Sequence, residues 1–264
     1  MIPISILLNI FLTVFIPFEK TGPVNIENTD VPLLSQVFID SELYSEYSYN
    51  NANLISEEKS KYQYIKHKYN DKNQLISTDY YDDLSIYSSS SYIIDSAKRR
   101  KEWVTPDNSA KSHYRSFEYN KKGQLIKSTD YLDYWTYNYN INDRISRQTY
   151  YHEDRISGYI DYNYDKKGNL IKMSQFDASE SGDSQLLTTT EYEFDKKFNP
   201  YRSFKSLMIP GKNTNYNNIT KEIYTVHFMV DHIVNEKQIN EFSYVYNEKG
   251  YPVRINKNIE YFYK

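Results

Sequence analysis

From Tyr44 onward apolar and polar residues alternate in short runs, each broken by Asn, Asp or Gly. Alternation with period two puts successive side chains on opposite faces of a strand. One phrase recurs, aromatic-x-Tyr-Asn/Asp-x-Lys-Gly-x-Leu-Ile. It reads YSYNNANLIS from Tyr47, HKYNDKNQLIS from His67, FEYNKKGQLIK from Phe117 and YNYNINDRIS from Tyr137. It returns as YNYDKKGNLIK from Tyr162, YEFDKKFNPYR from Tyr192 and YVYNEKGYPVR from Tyr244. The central aromatics are Tyr49, Tyr69, Tyr119, Tyr139, Tyr164, Phe194 and Tyr246. Two long gaps between them predict degenerate units around 92–103 and 224–234.

Each phrase predicts a hairpin. Phe117 and Tyr119 share one strand face, and Asn120-Lys121-Lys122-Gly123 suits a type I turn closed by a left-handed residue as a G1 bulge. Tyr119 then opposes Leu125, an aromatic–aliphatic cross-strand pair that fixes the register. The left-handed position holds Asn73, Gly123, Asp143, Gly168 and Gly250, residue types that tolerate φ > 0. Phe198 breaks the rule, so the sixth hairpin is expected to turn differently. The copy at Tyr49 reads one residue short, counted to Leu54, and is also expected to close differently. A further aromatic stands six residues after the Leu position (Tyr81, Tyr131, Tyr151, Phe176), an even spacing that predicts the same face. Ser-rich stretches at 82–91 and 178–185 read as surface connections.

The phrase resembles the YD repeat of the Rhs family, in a version similar to short exported proteins of Bacteroidetes-type bacteria. The resemblance covers the chain from Tyr44 to the C-terminus. It implies an all-β fold of tandem antiparallel hairpins in a curved, spiralling or partly rolled sheet, outside the cytoplasm. Gln124 and Asn169 stand where many YD repeats carry Arg, no toxin domain follows, and only the architecture carries over.

Ahead of the repeats, Ile2–Phe18 is almost wholly apolar. Seventeen residues suit a signal h-region better than a span, although no basic residue precedes the run and no small-x-small site follows. The expected organisation is a signal peptide or hydrophobic segment at 1–20, a linker at 21–43 and the repeat domain at 44–264. No stable transmembrane span is expected after processing.

Composition narrows the chemistry. The 264 residues carry a net charge of -3 and no cysteine. Disulfides, thiolate metal sites and a lipid-anchoring cysteine are thereby excluded. Tyrosine is abundant, with 30 residues, while Gly numbers only 7, which leaves little scope for phosphate-cradling loops. The one basic cluster, Lys98-Arg99-Arg100-Lys101, suits an edge-strand guard better than a nucleic-acid site. Asp161-x-Asn163-x-Asp165 lacks the glycine and the closing Glu of a calcium loop. His152-Glu153-Asp154 falls where a hairpin turn is expected. No metal, cofactor or catalytic constellation is expected.

Thirty tyrosines exceed what one face of a thin sheet needs. Trp103, Trp135, Tyr134 and Tyr137 are therefore the candidate exposed aromatics of a binding surface for a cell-surface glycan or a protein. The functional expectation is a non-enzymatic, extracytoplasmic binding or scaffolding protein. The alternatives are an intracellular antidote of an Rhs-type toxin system and a hydrolase with a carboxylate pair.

Overall fold

The computed structural model describes residues 31–60, 63–81, 92–94, 100–103, 113–178, 184–204, 206–211, 213–227 and 236–264. The apolar run Ile2–Phe18 and the Ser-rich stretch 82–91 lie outside them. The strands follow the repeat. β1 (Leu34–Ile39) precedes the hairpins β2 (Glu42–Tyr49) with β3 (Ile55–Ser60) and β4 (Tyr64–Tyr69) with β5 (Leu75–Tyr81). β6 (Tyr92–Ile94) and β7 (Arg100–Trp103) pair apart from the rest as a small two-stranded sheet. Then come β8 (His113–Tyr119) with β9 (Leu125–Asp130), β10 (Asp133–Tyr139) with β11 (Ile145–His152), and β12 (Arg155–Tyr164) with β13 (Leu170–Ala178). β14 (Ser184–Phe194) pairs with β15 (Ile219–Val226). β16 (Glu236–Glu241) and β17 (Tyr244–Tyr246) are successive stretches of one strand, followed by β18 (Pro252–Ile255) and β19 (Ile259–Tyr263).

All strands but β6 and β7 belong to one antiparallel sheet of 17 strands. Each strand pairs with the next, and β1 pairs with both β2 and β19. β16 lies on β15 and its continuation β17 lies on β18. The pairings therefore run full circle, and the sheet is rolled. β1 belongs to this sheet, although residues 21–43 read as a linker.

The turns form as the residue types dictate. The Asn120 N–H donates to the Gln124 carbonyl at 2.9 Å, and the Asn120 side chain accepts from the N–H groups of Lys122 (2.9 Å) and Gln124 (3.0 Å). The left-handed residues follow, with φ of 60° at Asn73, 83° at Gly123, 57° at Asp143, 102° at Gly168 and 82° at Gly250. The first copy closes in the same way. Tyr49 opposes Ile55 rather than Leu54, and Asn53 is the left-handed residue at φ 57°.

A second bulge sits just beyond each turn. The register slips after Tyr119–Leu125, so Glu118 opposes Lys127 and Ile126 is left over. The slip recurs beside Tyr49, Tyr69, Tyr139, Tyr164, Phe194 and Tyr246. Its effect is to exchange faces. Leu125, Ile145 and Leu170 point inward and are buried, whereas Tyr81, Tyr151 and Phe176 point outward. The even-spacing argument misassigned these aromatics, because it assumed an uninterrupted pleat.

The central tyrosines join one hairpin to the next. Tyr69 donates to the Ile55 carbonyl (2.7 Å), Tyr119 to Leu75 (2.8 Å), Tyr139 to Leu125 (2.9 Å) and Tyr164 to Ile145 (2.7 Å). Each hydroxyl bonds the first residue of the preceding hairpin's returning strand. A buried phenol is neutral at ordinary pH, and burial pushes Tyr137 up to about 12.

The same bonds reveal an eighth unit divided between the two ends of the domain. Tyr263 opposes Leu34 as Tyr119 opposes Leu125, with the same register slip beyond. Lys264 and Leu33 exchange both backbone hydrogen bonds, at 2.9 and 3.2 Å. Tyr263 donates to the Pro252 carbonyl (2.5 Å) and Tyr49 to the Leu34 carbonyl (2.7 Å), so the joining series crosses this split unit.

The sixth hairpin departs from the others, as Phe198 foretold. Asp195 still bonds Asn218 as a turn-closing pair, its N–H reaching the Asn218 carbonyl at 3.0 Å. Residues 196–217 stand where the other turns have three. This excursion folds through a 3₁₀ turn, Pro200–Phe204, into the middle of the circle. Phe204 is 1 % exposed against Tyr47, with ring centroids 4.7 Å apart, and Leu207 is also buried. Two core clusters result, one around Phe204 with strands from both ends of the domain and one around Leu125, Tyr137, Ile145, Tyr162 and Leu170. Buried asparagines latch the excursion. The Asn217 N–H donates to Asn169 Oδ1 (2.9 Å) and the Leu170 N–H to Asn215 Oδ1 (2.7 Å).

Candidate functional site

The outer face of the rolled sheet carries a recurring aromatic pair. One ring stands five residues before the central tyrosine and the other six after the Leu position, and the second bulge brings both outward. Tyr64 and Tyr81 lie 5.1 Å apart. Tyr134 and Tyr151 stack at 4.5 Å with planes 8° apart, and Tyr159 and Phe176 at 4.7 Å with planes 16° apart. Tyr114 and Tyr131 occupy the equivalent positions in the intervening hairpin and are 48 % and 69 % exposed. Tyr64 is buried, 5 % exposed, so the solvent-facing rings lie on the three successive hairpins from Tyr114 to Phe176. In the sixth hairpin the equivalent positions are Thr189 and Thr225.

A cation accompanies three of these pairs. Lys66 Nζ lies 5.3 Å from the Tyr64 ring and 5.9 Å from Tyr81, Lys127 Nζ 4.2 Å from Tyr134, and the Arg147 guanidinium 4.0 Å from Tyr159. Exposed contacts of this kind contribute about 0.5–1 kcal/mol each. Arg147 also grips Asp161 with two bonds, of 2.6 and 2.7 Å. That bond occupies the first carboxylate of the calcium-like Asp161-x-Asn163-x-Asp165, while Asp165 caps its own turn through the N–H groups of Lys167, Gly168 and Asn169. The Tyr134 hydroxyl is raised in pKa by desolvation and then by the Asp154 carboxylate beside it. Asp154 belongs to the turn at Glu153–Asp154, and His152 next to it pairs with Asp133 at 2.6 Å, which raises the imidazole pKa. The band is therefore flat rings interleaved with both signs of charge.

The candidate aromatics do not gather on one surface. Tyr134 is outward, within the band. Trp135 follows it on β10 and faces inward, against the Leu125–Tyr137 cluster. Tyr137 is 5 % exposed and shares a 2.7 Å hydrogen bond with Ser128, so it belongs to the core. The Trp103 backbone pairs with Tyr92 in the small sheet, and its side chain lies outside the described residues. Adjacent residues on a strand point to opposite faces, so Tyr134 and Trp135 could not have shared one. The −5 and +6 positions relative to the repeat were the available signal for the band.

The inner face holds a hydroxyl–imidazole–carboxylate group that sequence reasoning passed over. His67 Nδ1 lies 3.1 Å from Thr78 Oγ1, and Nε2 lies 2.8 Å from Glu58. Thr78 is 3 % exposed, so no substrate can approach its hydroxyl, and the group ties β3, β4 and β5 together. Among the described residues no cluster of His, Asp and Glu could hold a metal ion.

No family model matches the chain, and no curated protein matches it. Solved structures give faint likenesses. A porin-like protein from Bacteroides uniformis is 12 % identical, with a TM-score of 0.41, covering 88 % of this chain and 98 % of that one. The TcdB2-TccC3-Cdc42 structure is 11 % identical, with a TM-score of 0.28, covering 77 % of this chain. The match spans 10 % of that much longer chain. A protein of unknown function from Bacteroides fragilis is 10 % identical, with a TM-score of 0.24, covering 67 % and 88 %. No activity is taken from scores of this size.

Proposed function

We propose that the chain is a non-enzymatic, extracytoplasmic binding protein that holds a glycan along its outer aromatic band. The observation carrying this reading is the band itself, aromatic rings at the same outward positions on three successive hairpins, from Tyr114 to Phe176, and absent from the sixth. Neighbouring pairs lie about 10 Å apart, two strand spacings, which is the length scale of a disaccharide. Each pair is isolated among charged residues instead of merging into the contiguous apolar core of a protein interface. A pyranose offers an apolar C–H face to a ring and hydroxyls to the neighbouring Asp and Lys, and isolated ring pairs suit that amphipathic shape.

The charges of the outer face support a protein bathed in water. Lys66 and Lys59 meet Glu57, Lys172 meets Glu191, and Lys221 meets Glu193, all in cross-strand or same-strand ion pairs. A lipid-facing strand carries an apolar band at such positions. Among the described residues no helix is long and apolar enough to cross a membrane.

The test is affinity electrophoresis through gels containing soluble polysaccharides (xylan, pullulan, laminarin, alginate) with two double variants, Tyr134→Ala/Tyr151→Ala and Tyr159→Ala/Phe176→Ala. Retardation of the wild type by one of the polysaccharides, at least halved in each variant at unchanged melting temperature, is the expected result. No retardation in any gel, or equal retardation of wild type and variants, overturns the reading.

A further inference from the structure

Arg115 stands on the inner face of β8, opposite in facing to the aromatic band. Its side chain is 9 % exposed. The guanidinium lies over the Trp135 ring, 4.2 Å from its centroid. The buried Nε–H has no hydrogen-bond partner, and the carboxylate that pairs with the group, Asp130, stands 3.6 Å from Nη2, beyond hydrogen-bond range. Asp130 thus balances the charge without satisfying the Nε–H. A guanidinium withdrawn from water is ordinarily hydrogen-bonded along its fork, because orphaned charged donors are costly.

We propose that Arg115 anchors a binding site for a small carboxylate. Among oxygen ligands, a planar carboxylate matches the fork with two parallel N–H···O bonds. Trp135 fixes the plane of the guanidinium by stacking, so the fork is oriented before anything binds. The site is separate from the glycan band and stands or falls without it.

The chain has two tryptophans, so Trp103→Phe leaves Trp135 as the only indole. In that background the emission of Trp135 is titrated with D-glucuronate, with acetate and with D-glucose. Glucuronate and glucose share a ring and differ in the carboxylate. A saturable change with glucuronate or acetate, none with glucose, and an affinity at least tenfold weaker in Arg115→Gln and Arg115→Lys are expected. Arg115→Lys keeps the charge and loses the fork, so its loss of binding isolates the geometry. If either variant fails to fold, a rise in wild-type melting temperature with glucuronate but not glucose decides. No saturation with either carboxylate, an equal response to glucose, or full binding in a folded Arg115→Gln variant overturns the proposal.

Discussion

The hairpins at Tyr119 and Phe194 begin with the same design and end differently. Both open on an Asn or Asp whose side chain caps the turn, and both close with the same backbone bond, Asn120 to Gln124 and Asp195 to Asn218. In the first, three residues complete the turn and a tyrosine hydroxyl joins the hairpin to its neighbour. In the second, the central aromatic is phenylalanine, without a hydroxyl, and residues 196–217 pass inward to fill the circle. The lesson is that a repeat can give up its local joining bond where an insertion supplies tertiary contacts instead. Regular hairpins make the wall and line the core, and the irregular one fills its centre.

That contrast breaks most severely at Phe204. Phe204→Ala should lower unfolding free energy by about 3–5 kcal/mol, read by urea denaturation, because the 1 % exposed ring packs against Tyr47, Tyr49 and Tyr201 and its loss leaves a cavity among them. A loss below about 1 kcal/mol would show that the excursion only lies over a core complete without it. Next come the turns. Gly168→Val should cost about 1–3 kcal/mol, since φ is 102° and a Cβ would meet the Arg144 side chain at 2.3 Å. Phe198→Gly should not restore a regular turn, because Phe198 stacks on Tyr251 at 5.2 Å and its φ is not left-handed. The expected outcome is a loss of stability in both variants by thermal melting.

The joining tyrosines rank third. Tyr119→Phe should cost about 0.5–1.5 kcal/mol, the usual net worth of one hydrogen bond, with a similar value for Tyr139→Phe. Equal stability in both would remove the hydroxyls from the account of how hairpins are joined. The smallest effect separates the Asp165 turn from the Asn120 turn. Burial raises the Asp165 pKa, but the side-chain amide of Asn169 and the N–H groups of Asn169, Gly168 and Lys167 outweigh it and hold the carboxyl below its ordinary value. A depressed carboxylate contributes stability above its unfolded pKa of 3.8 that is lost as pH falls through the folded value. Asp165→Asn should therefore flatten the stability profile below about pH 4, while Asn120→Asp should steepen it.

Much of the wall was legible in the sequence. Residue types at Asn120, Gly123 and Gly168 state their own backbone angles, and Phe198 announced the exception. The second bulge was not legible, because the residue it displaces is Ser56, Ile76, Ile126, Ser146, Ile171, Thr220 or Val253, with no common chemistry. Missing it sent Tyr151 and Phe176 to the wrong face and hid the outer band. The inward fold of the excursion was equally hidden, since Asn213, Asn215, Asn217 and Asn218 are polar residues with no apolar pattern, yet the fold buries them. The eighth unit escaped because its halves, Tyr261-Phe262-Tyr263 and Leu33-Leu34, are separated by the whole domain.

That divided unit bears on how the molecule comes into being. A chain made from its N-terminus exposes the unpaired edge of β1 throughout synthesis, until Ile259–Lys264 emerges to cover it. Closure waits on Ile259–Lys264, which pairs with that edge. Since the clasp is a repeat cut at its turn, joining Lys264 to Leu33 through a short linker and reopening the chain at Lys121–Lys122 would give the same ring from a gene read in a different order.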